Sequence, residues 1–225
     1  MNPSALVFDA YGTLFDVASV AEACAAVMPE PEALIGLWRA KQLEYSFLRS
    51  LMGPAAYVDF WTITADALDF AAAKLGLQLT SAERERALQG WLEVRAYPEV
   101  ESALAALATQ GRYCLILSNG TRGMLETALR SAGLAHRFQA VLSVDEVRVY
   151  KPHPRVYQMA VDALTTPPGD LLFISSNGWD AAGARAFGLP VAWLNRTGGP
   201  PERLGVPPDV TLPDLSALPL LLTAS

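Results

Sequence analysis

The sequence predicts an α/β protein, a parallel β-sheet covered on both faces by helices, with a second, helical unit inserted near the start of the chain. Three observations carry this. From about residue 100 onward, short apolar runs alternate with helical patterns, the rhythm of strand–helix units in a parallel sheet. The first such run, Ala5-Leu6-Val7-Phe8, is apolar without alternation, as a strand buried on both faces requires. Between these two regions, residues 17–96 carry helical patterns and no convincing strand signal. They therefore read as an insertion, a cap placed over one edge of a Rossmann-like core made of residues 1–16 and 97–225.

In chain order, Ala5–Phe8 is the first strand, ended by Asp9 and a small, turn-forming stretch in which Gly12 is free to take backbone angles other residues avoid. Ser19 and Glu22 have the spacing of a capping box, which predicts a helix through Ala21 to Val27, stopped by Pro29 and Pro31. A second helix is expected from Glu32 to about Leu51, with Leu34, Leu37, Trp38, Tyr45 and Leu48 recurring at helical spacing. Gly53-Pro54 breaks it, and a third helix follows from about Tyr57 to Leu75. Thr80 and Glu83 form another capping box, opening a helix expected to reach about Arg95.

Beyond Pro98 the rhythm changes. A helix from about Val100 ends before Gly111, and Tyr113–Leu117 reads as a strand ending at Ser118-Asn119-Gly120. Thr121 caps a helix that stops before Gly133. Ala140–Ser143 is a shorter strand, and Pro154 lies in the first turn of a helix through Tyr157 to Leu164. Leu171–Ile174 is a buried strand followed by Ser175-Ser176-Asn177-Gly178-Trp179-Asp180, and the helix after it ends before Gly188. Val191–Leu194 is the last strand expected, ahead of a Pro- and Gly-rich tail and a weak Leu-rich helix. Crossovers between parallel strands should be right-handed.

Composition narrows the function classes. The chain has 225 residues, 52% of them hydrophobic, enough for a substantial core. A net charge of −6 without any basic run argues against a nucleic-acid surface. No apolar run reaches the roughly 18 residues of a membrane span. Met1-Asn2-Pro3-Ser4 lacks the basic and apolar regions of a signal peptide, so a cytoplasmic protein is expected. Cys24 and Cys114 then read as buried reduced thiols rather than a disulfide, and His136 and His153 are too scattered for a zinc site.

The chemistry is concentrated at strand ends. In open α/β sheets, ligands bind beyond the carboxyl ends of the strands. Three predicted strands end in polar clusters, Asp9 to Thr13, Ser118-Asn119-Gly120 and Ser175 to Asp180, and Val149-Tyr150-Lys151-Pro152 is a fourth cluster. Each alone has an ordinary reading: Asp9 and Asp180 as caps, Ser118-Asn119-Gly120 as a turn, Lys151 as a solvated lysine. Converging on one edge, they are harder to dismiss together, and Asp9 there can serve as a nucleophile beside loop N–H groups that form an anion-binding nest.

In this order the clusters resemble the haloacid dehalogenase superfamily over nearly the whole chain: the Asp nucleophile after a strand (Asp9), the Ser/Thr-Asn strand end (Ser118-Asn119), Lys-Pro (Lys151-Pro152) and the acidic strand end (Asp180). Most of that superfamily are phosphatases, and two departures point away from them. Where phosphatases carry a second Asp as general acid, this chain has Tyr11, and halide needs no proton to leave. Where they carry a magnesium-binding acid four residues before Asp180, it has Ser176. The segments Phe8–Val17, Trp38-Arg39, Lys41–Tyr45, Leu117–Gly120, Val149–Pro152 and Ser175–Asp180 resemble the L-2-haloacid dehalogenase branch.

That resemblance implies hydrolysis of small L-2-haloacids to 2-hydroxy acids with inversion, through an ester on Asp9. It implies Asp180 as base or positioner for water, and Ser118 with loop N–H groups for the substrate carboxylate. Lys151 is read as keeping Asp9 ionised, since a nearby cation lowers a carboxylate pKa. It implies Arg39, Asn119 and Trp179 as the halide's receivers; the residues alone would leave Arg39 as a surface cation. Thr13, Tyr157, Ser175 and Asn177 are supporting residues, and Tyr11, Leu43, Phe60 and Trp179 are expected as apolar walls. The expected partners are the haloacid and halide, with no metal, cofactor, nucleic acid or membrane. The resemblance also implies a homodimer, and the apolar faces of the second and third helices are where its surface is expected. The alternatives are a phosphatase on the same fold and a non-catalytic anion-binding protein.

Overall fold

The computed structural model describes residues 3–25 and 31–223. In chain order the elements are β1 (Ala5–Phe8), β2 (Phe15–Asp16), α1 (Ala21–Cys24), α2 (Pro31–Leu51), α3 (Phe60–Lys74), α4 (Ser81–Gln89) and β3 (Arg95–Ala96). Then come α5 (Val100–Thr109), β4 (Tyr113–Ser118), α6 (Arg122–Ser131), β5 (Ala140–Ser143), α7 (Pro154–Leu164), β6 (Leu171–Ser175), α8 (Gly178–Phe187), β7 (Val191–Leu194), β8 (Val210–Leu212) and α9 (Ala217–Thr223).

Six strands form one sheet in the order β5-β4-β1-β6-β7-β8, and every pairing in it is parallel. β1 is central, and all four of its residues are buried, which is what its unbroken apolar run requires. Phe8 pairs with Ile116 on one side and Ile174 on the other. Asp9, Leu117 and Ser175, one residue further, therefore emerge together at the carboxyl edge. β1 lies where the chain order switches direction across the sheet, the place an α/β sheet opens a crevice for a ligand.

The helical block packs α2 against α3. Their contact buries polar groups and satisfies them: Trp38 Nε1 donates to the Thr64 carbonyl at 2.7 Å, and Gln42 Nε2 donates to Thr64 Oγ1 at 2.9 Å. α4 begins with the capping box expected at Thr80 and Glu83, with both reciprocal bonds present. Thr121 caps α6 by accepting from Met124 N, and Pro154 sits in the first turn of α7.

Several expectations require correction. Ser19 and Glu22 do not form a capping box. Asp16 caps the short 3-10 turn at Val17–Val20 instead, and Ser19 Oγ donates to the Asp16 carbonyl. Glu22 is drawn to Arg95, at 2.7 Å, because a cation outcompetes a backbone amide for an exposed carboxylate. The expected continuation to Val27 and the stop at Pro29 lie outside the described residues. α3 starts at Phe60 rather than Tyr57, since Asp59 accepts from Thr62 N and caps it there. The fourth helix ends at Gln89, and Arg95–Ala96 is a strand that pairs antiparallel with Phe15–Asp16. This two-stranded ribbon and β8 carry no sequence signal, because strands of two or three residues have no measurable period.

Candidate active site

Asp9 leaves β1 with its backbone N–H still in the ladder, donating to the Ile174 carbonyl at 2.9 Å. The chain then turns sharply: the N–H groups of Thr13 and Leu14 both return to the Ala10 carbonyl, and Gly12 takes a φ of 88°, which favours glycine. This turn points Thr13 back at Asp9. Thr13 Oγ1 donates to Asp9 Oδ2 at 2.8 Å and accepts from Ser176 N at 2.9 Å. Asn177 Nδ2 donates to the same Oδ2 at 2.8 Å and to the Tyr11 carbonyl at 3.1 Å. Asp9 is thus held by two neutral donors on one oxygen and by a cation on the other.

The cation is Lys151. Its Nζ lies 3.0 Å from Asp9 Oδ1 and 2.8 Å from Asp180 Oδ2, and its backbone N–H donates to Asn119 Oδ1 at 3.0 Å. Its side chain is 1% exposed. Burial alone pulls an ammonium's pKa down, but Asp180 and Asp9 outweigh it here, and the net shift is upward from the ordinary value. Lys151 therefore stays charged.

Asp180, in the first turn of α8, is fully buried. Its Oδ2 also accepts from Ser175 Oγ at 3.2 Å, and its Oδ1 accepts from Tyr157 Oη at 2.8 Å. Burial raises its pKa to about 6, with Lys151 pulling the other way and Asp9 reinforcing the rise. Tyr157 is pushed well above its ordinary value by burial and by Asp180, so it remains a donor.

Ser118 and Asn119 close β4 on the same edge. Ser118 Oγ accepts from Gly120 N at 3.1 Å, and the Gly120 carbonyl accepts from Ser143 Oγ at 2.8 Å. Arg39 reaches in from α2. Its guanidinium stands 5.7 Å from the centre of the Trp91 ring. Burial lowers its pKa while Asp9 and Tyr11 pull it back up. It thus feels the charge of the Asp9 carboxylate. Tyr11 is buried, its ring 5.6 Å from Trp91, and its hydroxyl has no hydrogen-bond partner.

The structure therefore gathers Asp9, Thr13, Lys151, Asn177, Ser175, Asp180 and Tyr157 into one bonded network, joined to Asn119 through the Lys151 backbone. Tyr11 joins it through its carbonyl, which accepts from Asn177 Nδ2, Ser118 adjoins it in sequence, and Arg39 adjoins it electrostatically through Asp9. The expected wall residues are less closely tied. Leu43 is half-buried one helical turn after Arg39 on α2. Phe60 packs on Tyr150, with ring centres 6.0 Å apart, and Trp179 packs edge-on against Phe47 at 5.1 Å. The sequence reading missed Ser143 and Arg196. Arg196 Nη2 donates to the Thr13 carbonyl at 2.8 Å. The one available signal was its position just past the strand Val191–Leu194, on the same edge as the other clusters.

Among the described residues, no group of three or more His, Cys, Asp or Glu side chains is placed to hold a metal ion. Asp9 and Asp180 are bridged by the Lys151 ammonium. No described helix is long and apolar enough to cross a membrane.

Residues 3–188 match the family model of haloacid dehalogenase-like hydrolases. The chain is 45% identical to (S)-2-haloacid dehalogenase 1 of Pseudomonas sp. strain CBS-3, over 99% of this chain and 98% of that one. A crystal structure of an L-2-haloacid dehalogenase superposes with a TM-score of 0.96 at 43% identity, covering 99% of this chain and 100% of the other. The L-2-haloacid dehalogenase of Xanthobacter autotrophicus with chloropropionic acid covalently bound superposes at 0.90, with 39% identity and 99% of each chain covered.

Proposed function

The chain belongs to the haloacid dehalogenase-like hydrolases, and we propose that it acts there as an (S)-2-haloacid dehalogenase. It hydrolyses small L-2-haloacids to 2-hydroxy acids of inverted configuration through an ester on an aspartate. The observation that carries this is the loading of Asp9: one carboxylate oxygen bound to two neutral donors, the other facing only a buried ammonium.

In the first step Asp9 Oδ1 attacks the carbon bearing the halogen, from the face opposite the halogen. The carbon–halogen bond breaks with its electron pair and the configuration inverts. Lys151 keeps Asp9 anionic for this attack. Arg39 receives the developing halide charge with Asn119 and Trp179, and Ser118 with the loop N–H groups holds the substrate carboxylate. Tyr11, Leu43 and Phe60 wall the substrate.

In the second step water attacks Asp9 Cγ and gives a proton to Asp180. Negative charge then gathers on Oδ2, where Thr13 Oγ1 and Asn177 Nδ2 already donate at 2.8 Å each. That is the distance an oxyanion hole needs, and donors fixed in advance cost no reorganisation. The Cγ–Oδ1 bond breaks, and Oδ1 takes a proton from Lys151, 3.0 Å away, which recovers one from Asp180 at 2.8 Å; Oδ1 thus leaves as the product's hydroxyl oxygen and Asp9 and Asp180 return to carboxylates. Ser175 and Tyr157 hold Asp180 in place through both steps.

The wider reading follows the same lines. Residues 17–96 act as the cap and residues 1–16 and 97–225 as the catalytic core. The reaction uses no metal, because Lys151 supplies the positive charge between Asp9 and Asp180, and Tyr11 and Ser176 stand where phosphatases place acids. The enzyme works as a cytoplasmic homodimer. Support for the dimer comes from Leu48 and Leu51 in the last turn of α2 with Met52 just after it, and from Phe70 near the end of α3 with Leu75 just after it, all exposed. The deciding experiment measures halide release from L-2-chloropropionate and bromoacetate beside phosphate release from p-nitrophenyl phosphate. Halide release with little phosphate release is expected, and the reverse would replace this reading with phosphoryl transfer.

A further inference from the structure

Arg196 follows β7 and is nearly buried, with 12% of its side chain exposed. Its Nη2 donates to the backbone carbonyl of Thr13 at 2.8 Å. Its Nη1 lies 2.6 Å from Glu99 Oε1, and its guanidinium stacks 3.8 Å from the centre of the Tyr97 ring. Tyr97 N in turn donates to the Leu14 carbonyl at 3.0 Å. One planar cation thus ties the turn after the nucleophile to the chain returning from the helical block.

Thr13 is the residue this arrangement immobilises. Its N–H is bound to Ala10, its hydroxyl lies between Asp9 Oδ2 and Ser176 N, and its carbonyl is taken by Arg196. A buried ion pair is weak evidence for stability, because apolar residues of similar volume often do as well. A guanidinium differs in fixing geometry. Its donors lie in a rigid fork, and a charged donor binds a carbonyl about twice as strongly as a neutral one.

We propose that Arg196 is a positioning residue for ester hydrolysis, holding the Thr13 peptide so that the Thr13 hydroxyl meets the charge forming on Asp9 Oδ2. This rests on the dehalogenase reading above. The first step makes little demand on that hydroxyl, since charge leaves Asp9 as the halide departs. The second step returns charge to Oδ2, and misplacing a catalytic group by about 1 Å costs on the order of 100-fold.

The test is Arg196→Lys, which keeps the charge and loses the fork. Halide burst and product formation are followed separately with L-2-chloropropionate. Ester breakdown, and with it kcat, should fall about 10- to 100-fold. The burst rate and kcat/KM, which report the first step, should stay within about threefold. A merely structural defect lowers the fraction of active enzyme, and so reduces kcat and kcat/KM together.

Repeating the substitution in a Thr13→Val background gives a double-mutant cycle. There Arg196→Lys should cost less than about threefold in ester breakdown, because the hydroxyl it positions is gone. Equal losses in the two backgrounds, or wild-type kcat in Arg196→Lys, would overturn the proposal. If Arg196→Lys does not fold, Glu99→Gln, which removes the ionic anchor and leaves the guanidinium, goes through the same cycle with the same expectations. A wild-type enzyme that released no halide would instead overturn the dehalogenase reading itself.

Discussion

Tyr157 donates its hydroxyl to Asp180 Oδ1 at 2.8 Å, the carboxylate oxygen opposite the one that Lys151 holds. Asp180 is therefore fixed from both sides in a fully buried position, and burial lifts its pKa to about 6. A carboxylate in that range is a far better proton acceptor near neutral pH than an ordinary one.

The pH dependence follows with a definite sign. Only deprotonated Asp180 takes a proton from water, so ester breakdown should fall tenfold per unit on the acid side of its pKa. Asp9 contributes to the upward shift, and esterification removes the Asp9 charge. The inflection for ester breakdown should therefore lie below about 6, the value for the free enzyme. Single-turnover product formation between pH 4 and 8 measures it. An inflection above that of the free enzyme would remove Asp180 from this role.

Asp9 as nucleophile fixes the origin of the product's oxygen. With enzyme in excess in heavy-oxygen water, the first turnover should give product carrying mostly light oxygen, with the label left in Asp9. Fully labelled product would mean direct attack by water. Asp9→Asn should lose on the order of 10⁴-fold or more in kcat.

In the proposed mechanism Arg39 receives the departing halide. A cation placed where negative charge develops lowers the barrier mainly in the transition state. Arg39→Lys should cut the halide burst rate about 100-fold while circular dichroism stays unchanged, because the fork is lost and the charge kept. Wild-type bursts in Arg39→Lys and Arg39→Ala would sink the assignment.

Metal dependence separates this site from a phosphatase site. Magnesium favours several hard oxygen ligands, and between Asp9 and Asp180 the charge is already supplied by Lys151. Halide release should survive exhaustive EDTA treatment, and added magnesium should not raise it. Loss on chelation with recovery on magnesium would favour phosphoryl transfer.

Gly183 packs directly behind the acid. A Cβ there would come within 2.6 Å of Tyr157 Oη and 2.5 Å of Pro152 Cβ. Gly183→Ala should therefore displace Tyr157 from Asp180. Ester breakdown should slow by roughly tenfold, and stability should fall by about 1–3 kcal/mol from overpacking. Urea unfolding alongside single-turnover kinetics reads both effects, and a silent Gly183→Ala would show that Tyr157 has room to retreat.

The sheet is legible in the sequence because its central strands are uniformly apolar: Ala5–Phe8 and Leu171–Ile174 signal burial on both faces without reference to their partners. The Thr80 capping box was legible because both its partners are local. What stayed hidden depends on distant residues. Glu22 looked like a capping residue because its actual partner, Arg95, lies 73 positions away. Phe15–Asp16 and Arg95–Ala96 are strands only because they meet. Asp9, Lys151 and Asp180 could be placed on one edge by strand-end logic. Arg39 needed the family resemblance, since its value depends on how α2 is set over that edge. Arg196 had only its place after β7 to mark it, and nothing in its neighbours points to Thr13.

The ribbon between β2 and β3 sets Asp16 opposite Arg95, so the chain departs for the helical block and comes home at one spot. A segment whose two ends meet is a closed excursion, and the sheet's register does not depend on its length. Nature can lengthen, shorten or replace such a cassette while the nucleophile, its ammonium and its acid keep their places. Substrate range, and the contact to the halide that Arg39 makes from α2, are thereby free to change in the cassette while Asp9, Lys151 and Asp180 beneath it are inherited unchanged.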